Sequence, residues 1–487
     1  MSELSRQAGL LSLADFIRFF IKTLIGIALA RMLDPADLGS YRQLFLIFST
    51  ASGILLLGFP QSMLYFLPKA SDETELKRII SRTMNVTNLL AVLCALGIWL
   101  ARDAIAGTFN NPALSKLLPV FSIYPLFMFV TQMYSSIMLG LKQPAKSAWF
   151  SIFSISCDFV LVLGAALILK DIQYIIWAVV ISAFLQWAWA WFGIQKHRLT
   201  FSLANFTGFK DQLAYTIPLG LSLLIGVLSV QLDKLMISGF FKPEEFAVFS
   251  LGAMELPLIG ILINSVNSIL LPNLSGRDPA GLTTLYRASV RKNAIIVFPL
   301  ATVFFLFATE FMIFVYGTVY ASAALYFRIY LLILPLRVAT YGIVFQAMGK
   351  TRLVMIDSII MLLLNAILNY FFIRLYGMKG AALATVVVSW LIVIVYLWQM
   401  RYSLQLKLLE LFPPISLALN LVAAILPVLI IIPLSGMIDT PFLRMILGGP
   451  GYLVLYLILA YILRVIKDYD IRMLGEFLQG LIRRGNR

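Results

Sequence analysis

The chain has 487 residues, 61% of them hydrophobic and only 13% charged, with a mean hydropathy of +0.93 and a formal net charge of +15. This excludes an ordinary soluble globular protein and indicates a polytopic membrane protein, all-α in class. Nor does the basic excess argue for nucleic acid, because Lys and Arg are scattered through short links between apolar runs instead of forming a stripe.

The first predicted element, residues 10–33, is unusual. A helix rising about 1.5 Å per residue needs about 20 apolar residues to cross about 30 Å of hydrocarbon, and this run is longer. Yet it carries Asp15, Arg18 and Lys22. Their spacing puts all three on one helical face, so they can turn toward a protein interior or a water-filled cavity while Leu and Ile meet lipid. Charges held in a membrane at such cost suggest a functional site; the bland alternative is an internal bridge of Arg18 with Asp15. Ala28-Leu29-Ala30 imitates a signal-peptide cleavage site, but the charges before it interrupt the apolar region, so this helix is expected to be retained.

Hydropathy predicts about fourteen spans, at 10–33, 41–66, 84–105, 117–141, 148–169, 172–194, 214–240, 245–271, 293–316, 322–347, 354–375, 378–400, 413–434 and 446–463. The longest link, Ile194 to Leu213, fits an interfacial strap or inter-lobe linker. With a cytoplasmic N-terminus, 24 of the 38 Lys and Arg fall on the inner side and 9 on the outer, which places both termini in the cytoplasm. The remaining five, Arg18, Lys22, Lys234, Arg328 and Arg337, lie within spans. Cys94 and Cys157 sit in apolar runs and read as packing residues, not as a disulfide or metal site.

Three echoes mark an internal repeat. LDPADL at 33–38 returns as FKPEEF at 241–246, LPKAS at 67–71 as LPNLS at 271–275, and GLK at 140–142 as MGK at 348–350. An even number of spans per unit makes the repeats parallel. The expected organisation is a six-helix lobe over 1–200, a second over 201–405, and two extra helices from Pro413-Pro414 with a basic amphipathic tail over 406–487, the tail lying on the cytoplasmic leaflet.

LARMLDPADLGSY closing the first span, QLDKLMISGFFKPEEFAVFS at the seventh, QAMGKTRL closing the tenth and YGMKGAALATVVVSW opening the twelfth carry a resemblance. In their order and spacing the chain resembles the polysaccharide flippases of the multidrug, oligosaccharidyl-lipid and polysaccharide exporter superfamily. The resemblance covers nearly the whole chain. It implies two lobes around a central cavity in a bacterial inner membrane and translocation of a polyprenyl-pyrophosphate-linked oligosaccharide, by alternating access and coupled to an ion gradient. No cofactor is expected; polysaccharide polymerase and chain-length machinery are expected partners. The glycine-rich pattern associated with peptidoglycan-precursor flippases is not seen, which favours capsule, exopolysaccharide and O-antigen types.

For such a cargo, Arg18, Lys22 and Arg337 are the expected pyrophosphate ligands, because low dielectric strengthens their attraction and Arg can fork onto phosphate oxygens. Arg337 follows Pro335, which can kink its helix. Lys234 and Arg328 lie nearer span ends, where long side chains can reach water. Glu255, well inside the eighth span before Pro257, leads the ion-coupling candidates, followed by Asp233, Asp158, Glu310 and Asp357, since a carboxylate in low dielectric can alternate between protonated and paired states. Tyr124, Gln132, Tyr134, Asn264, Asn267, Tyr341, Gln346, Asn365 and Asn369 are candidate sugar contacts, though polar groups also join helices within membranes. Trp187, Trp189 and Trp191 read as an interfacial belt. Two rivals remain: a cation-coupled multidrug exporter, disfavoured by a cationic cavity, and a membrane polymerase or glycosyltransferase, disfavoured by short links and the single His197.

Overall fold

The computed structural model describes residues 3–195, 208–274, 279–405, 410 and 412–467, with no strand among them. The greater part of the strap after the sixth span, with His197, and the basic tail lie outside the described residues. Two compact units form, Met1–Ser250 and Leu251–Arg487. The first contains α1 (Glu3–Met32), α2 (Pro35–Leu56), α3 (Phe59–Phe66), α4 (Glu73–Leu100), α5 (Arg102–Thr108), α6 (Leu114–Phe121), α7 (Tyr124–Gly140), α8 (Pro144–Asp158), α9 (Gly164–Ile168), α10 (Ile172–Gln195) and α11 (Phe209–Phe240), and ends within α12 (Pro243–Gly252). The second contains α13 (Pro257–Leu274), α14 (Pro279–Leu306), α15 (Ala308–Tyr316), α16 (Ala323–Leu331), α17 (Tyr341–Ala347), α18 (Thr351–Tyr376), α19 (Met378–Leu404), α20 (Pro414–Gly436) and α21 (Pro441–Ile462).

Of the three echoed motifs, the first pair, LDPADL and FKPEEF, opens helices. Asp34 caps α2 by accepting the Asp37 N–H at 2.8 Å, with Pro35 opening the helix. Ahead of α12, the Glu245 carboxylate accepts the Lys242 N–H at 3.0 Å. A broken helix follows each motif, at Leu57-Gly58 between α2 and α3 and at Ala253–Leu256 between α12 and α13. The order of elements then recurs: a long helix (α4, α14), a short one (α5, α15) and a second broken span (α6 with α7, α16 with α17).

Among the described residues, ten helices are long and apolar enough to cross a membrane, twelve if α2 with α3, bent by 43°, and α6 with α7, bent by 48°, each count as one. The two further expected spans fall short for identifiable reasons. The charges of α1 interrupt its apolar run, and the expected eighth span divides into α12 and α13. Pro257 lacks an N–H and disfavours helix in the residue before it. The expected link from Arg277 to Lys292 is helical from Pro279 onward.

Close packing fixes α11 in the first unit. At one end Gln43 donates to Ser238 Oγ at 2.9 Å; at the other, buried Arg82 donates to Gln212 Oε1 at 3.1 and 2.8 Å, and Gln212 donates to Thr83 Oγ1 at 2.8 Å. Between these anchors a Cβ on Gly220 would lie 2.1 Å from the Leu57 carbonyl oxygen, so only glycine permits the approach. Small residues and interhelical hydrogen bonds of this kind hold helices together in lipid, where apolar transfer supplies little drive.

Candidate functional site

In α1, Ala14, Ile25 and Leu29 are buried, whereas Leu13, Phe16, Phe20 and Leu24 are exposed. At about 100° per residue, Arg18 and Lys22 share the sector of the buried residues, not that of the exposed aromatics. Both nevertheless remain accessible. The cations therefore open onto accessible space on the packed side of α1, away from its apolar, lipid-suited face. No ion pair within 4.0 Å joins Arg18 to Asp15 among the described residues, so the bridge alternative finds no support there.

Packed along α1, α8 ends at Asp158, and the chain continues as a π-helical turn, Phe159–Leu163. Such turns often mark functional positions, because one extra residue re-aims the side chains beside it. Asp158 Oδ1 accepts from Ser182 Oγ at 2.6 Å and from Gln186 Nε2 at 3.0 Å, two donors one turn apart on α10. Lys22 and Arg18 act on the Asp158 charge, as that charge acts on Tyr41 and Tyr124. The structure thus brings together two predicted phosphate ligands and one predicted coupling acid. Sequence reasoning missed Ser182, Gln186 and Tyr41; the four-residue spacing of Ser182 and Gln186 was the available signal.

The second cluster is a pair. Arg337 donates to Glu255, both side chains being well exposed, at 45% and 41%. Each occupies a helix break, Glu255 before α13 and Arg337 in the 3-10 turn Leu334–Val338 between α16 and α17. Glu255 is therefore not inside an unbroken span as expected.

Other predicted residues have structural partners. Arg328 donates to the Phe305 carbonyl and to Thr309 Oγ1, both at 3.1 Å, satisfying backbone at the end of α14. Glu310 pairs with Arg444 of α21 at 3.2 Å. Buried Asp233 accepts the Lys234 N–H at 2.7 Å. Tyr134 is 3% exposed and packs among Met63, Ile80, Met84 and Phe150, and Tyr124 stacks on Phe121 at 5.1 Å. Tyr341 stacks with Tyr396 at 6.3 Å, and Gln132 is half-buried. Asn365 and Asn369 are buried, Asn369 donating to Asn365 Oδ1 at 2.8 Å and Asn365 to Thr385 at 3.4 Å across to α19. The side chain of Asn264 lies outside the described residues. Arg287, Arg291, Arg464 and Lys467, counted in the sequence only for orientation, line a cavity of about 300 Å³ beside Pro413 and Pro414.

A sequence family described as polysaccharide biosynthesis protein matches residues 4–276, more than half of the chain. The chain belongs to the polysaccharide biosynthesis protein family. Within the matched stretch lie α1, Asp158, Ser182, Gln186 and Glu255. The Lsg locus protein 1 of Haemophilus influenzae is 22% identical over 262 residues, covering 50% of this chain and 59% of that protein, so the match spans under two thirds of the relative's length. The fold is shared more widely than the sequence. A lipid II flippase, MurJ, in an inward closed conformation superposes with a TM-score of 0.74 at 18% identity, covering 93% of this chain and 98% of its own. An inward-facing multidrug resistance MATE family transporter of the MOP superfamily gives 0.65 at 15%, covering 80% and 95%. This family member is a multi-pass helical membrane protein with that fold.

Proposed function

We propose that the protein is a flippase of the MOP superfamily carrying polyprenyl-pyrophosphate-linked oligosaccharide repeat units across the bacterial inner membrane by alternating access, coupled to an ion gradient. The observation that supports it most is the accessibility of Arg18 and Lys22 on the packed side of a membrane-length helix, in a member of a polysaccharide biosynthesis family. A pyrophosphate is the anion such cations suit, and Arg offers it two parallel hydrogen bonds. Organic cations, the cargo of the multidrug alternative, would be repelled. Asp158, close enough to act on both cations, is the acid through which ion binding would alter the charge presented to the phosphates. Both termini are taken as cytoplasmic and the tail as lying on the inner leaflet.

The deciding experiment is translocation of a fluorescent polyprenyl-pyrophosphate oligosaccharide in vesicles containing the purified protein, with an ion gradient imposed. Gradient-dependent exposure of the head group on the far leaflet is expected. Translocation equal to that of empty vesicles, with the protein folded, would refute the proposal.

A further inference from the structure

The seam between α18 and α19 contains a carboxylate with an unanswered oxygen. Asp357, on α18, is 1% exposed. Gln399, on α19, donates from Nε2 to Asp357 Oδ1 at 2.8 Å. The other two oxygens of these side chains, Asp357 Oδ2 and Gln399 Oε1, are both buried and have no hydrogen-bond partner among the described residues. An ionised carboxylate and an amide carbonyl are acceptors only, so an ionised Asp357 would leave two orphaned acceptors in one buried contact, one of them charged. Turning the amide over would only move the oxygen-against-oxygen contact from Asp357 Oδ2 to Oδ1.

We propose that Asp357 carries a proton on Oδ2 and donates it to Gln399 Oε1, closing a reciprocal acid–amide pair, and that this pair is a proton-binding site of the second unit. One proton satisfies both orphaned oxygens and removes a buried charge. Among the described residues the surroundings offer no other compensation. On α19, Tyr396 lies one turn before Gln399 and feels Asp357, but it is a neutral phenol stacked on Tyr341, which begins α17. Lys350, Arg352 and Arg401, toward the ends of α18 and α19, are exposed. The cations on elements packed against α19 are engaged elsewhere, Arg328 with the Phe305 carbonyl and Arg337 with Glu255. No ion pair reaches Asp357 among the described residues. Opening the seam to water would let the proton leave, so its release is tied to movement of α18 against α19. The site stands on these two side chains and not on the cargo proposed above.

The test uses purified full-length protein in detergent and needs no substrate. In Asp357→Asn the new amide can donate to Gln399 Oε1 and accept from Nε2, copying the protonated pair without a titratable group. A proton bound in the folded state but absent from the unfolded chain makes stability fall as pH rises. Wild type and Asp357→Asn should therefore melt together below the unfolded aspartate's pKa of about 4, and the variant should melt higher by a gap that widens as pH rises above it, until the folded carboxyl itself titrates. A gap that does not change with pH overturns the proposal. An independent readout is the infrared stretch of a protonated carboxyl, expected in wild type at neutral pH, shifted in D2O and lost in Asp357→Asn. Its absence from the wild-type minus variant difference spectrum also overturns the site. Should Asp357→Asn fail to fold, Gln399→Leu decides: the band must move when its acceptor is removed, and an unmoved band refutes the pairing.

Discussion

Arg337 and Glu255 emerge from two separate helix breaks in the second unit and join there as an ion pair. Broken backbone at membrane depth is tolerated only inside protein or beside a water-filled cavity, and the side chains of the pair are accessible, at 45% and 41%. A pair so accessible can trade its partner for another anion at little cost.

Exposed pairs contribute about 0.2–1 kcal/mol, so Arg337→Gln should barely move the melting temperature while lowering transport at least about tenfold. If Arg337 serves phosphate, the charge-swapped double variant Glu255→Arg with Arg337→Glu restores the pair but not transport. Recovered flipping in the swap would reduce the contact to a structural tie.

Gly220 makes a steric prediction. Its Cβ would sit 2.1 Å from the Leu57 carbonyl oxygen, backbone that cannot step aside, whereas a Cβ on Gly226 of the same helix meets nothing within 4 Å. Gly220→Ala should therefore cost at least about 1–3 kcal/mol, seen as a lower melting temperature, while Gly226→Ala should be neutral within about 0.5 kcal/mol. Equal effects at the two positions would contradict the close approach of α11 to the break after α2.

Asp158 separates charge from hydrogen bonding. Asp158→Asn keeps an oxygen for Ser182 and Gln186 and should preserve stability within about 1 kcal/mol while weakening the dependence of transport on an imposed gradient. Asp158→Leu strands the buried Ser182 hydroxyl and leaves Gln186 only Ser182 Oγ, 3.0 Å away, as acceptor, so it should cost about 1–3 kcal/mol as well. Transport by Asp158→Asn with unchanged gradient dependence would remove the acid from coupling.

The helical class was legible because apolar runs of membrane length leave few alternatives, and the echo of LDPADL in FKPEEF was legible because capping chemistry is local. The helix breaks were not. Pro257 and Pro335 marked where helices could fail, but whether a proline bends or breaks a span depends on what packs beside it, which a single sequence does not contain. The pairing of Arg337 with Glu255, 82 residues apart, was hidden for the same reason. Arg18 and Lys22 stood out because charge in hydrocarbon needs a cause; Asp357 stood out less because its partner Gln399 carries no charge.

Arg18 provides the last and sharpest prediction. If it binds the pyrophosphate, Arg18→Ala should lower complementation of a flippase-deficient strain at least about tenfold with protein levels unchanged, because removing a mid-helix cation eases insertion, by about 2.5–3.5 kcal/mol on translocon scales. Arg18→Lys should recover part of the activity, keeping the charge but losing the fork. Arg18→Glu should be worse than Arg18→Ala, since a carboxylate repels the phosphates it fails to hold. The bridge alternative predicts that removing Asp15 together with Arg18 restores function, but these two side chains form no ion pair within 4.0 Å. The double variant Asp15→Ala with Arg18→Ala should therefore be as defective as Arg18→Ala alone. Normal complementation by that double variant would show that Arg18 answers Asp15 and not the cargo, leaving Lys22 as the sole phosphate candidate on α1.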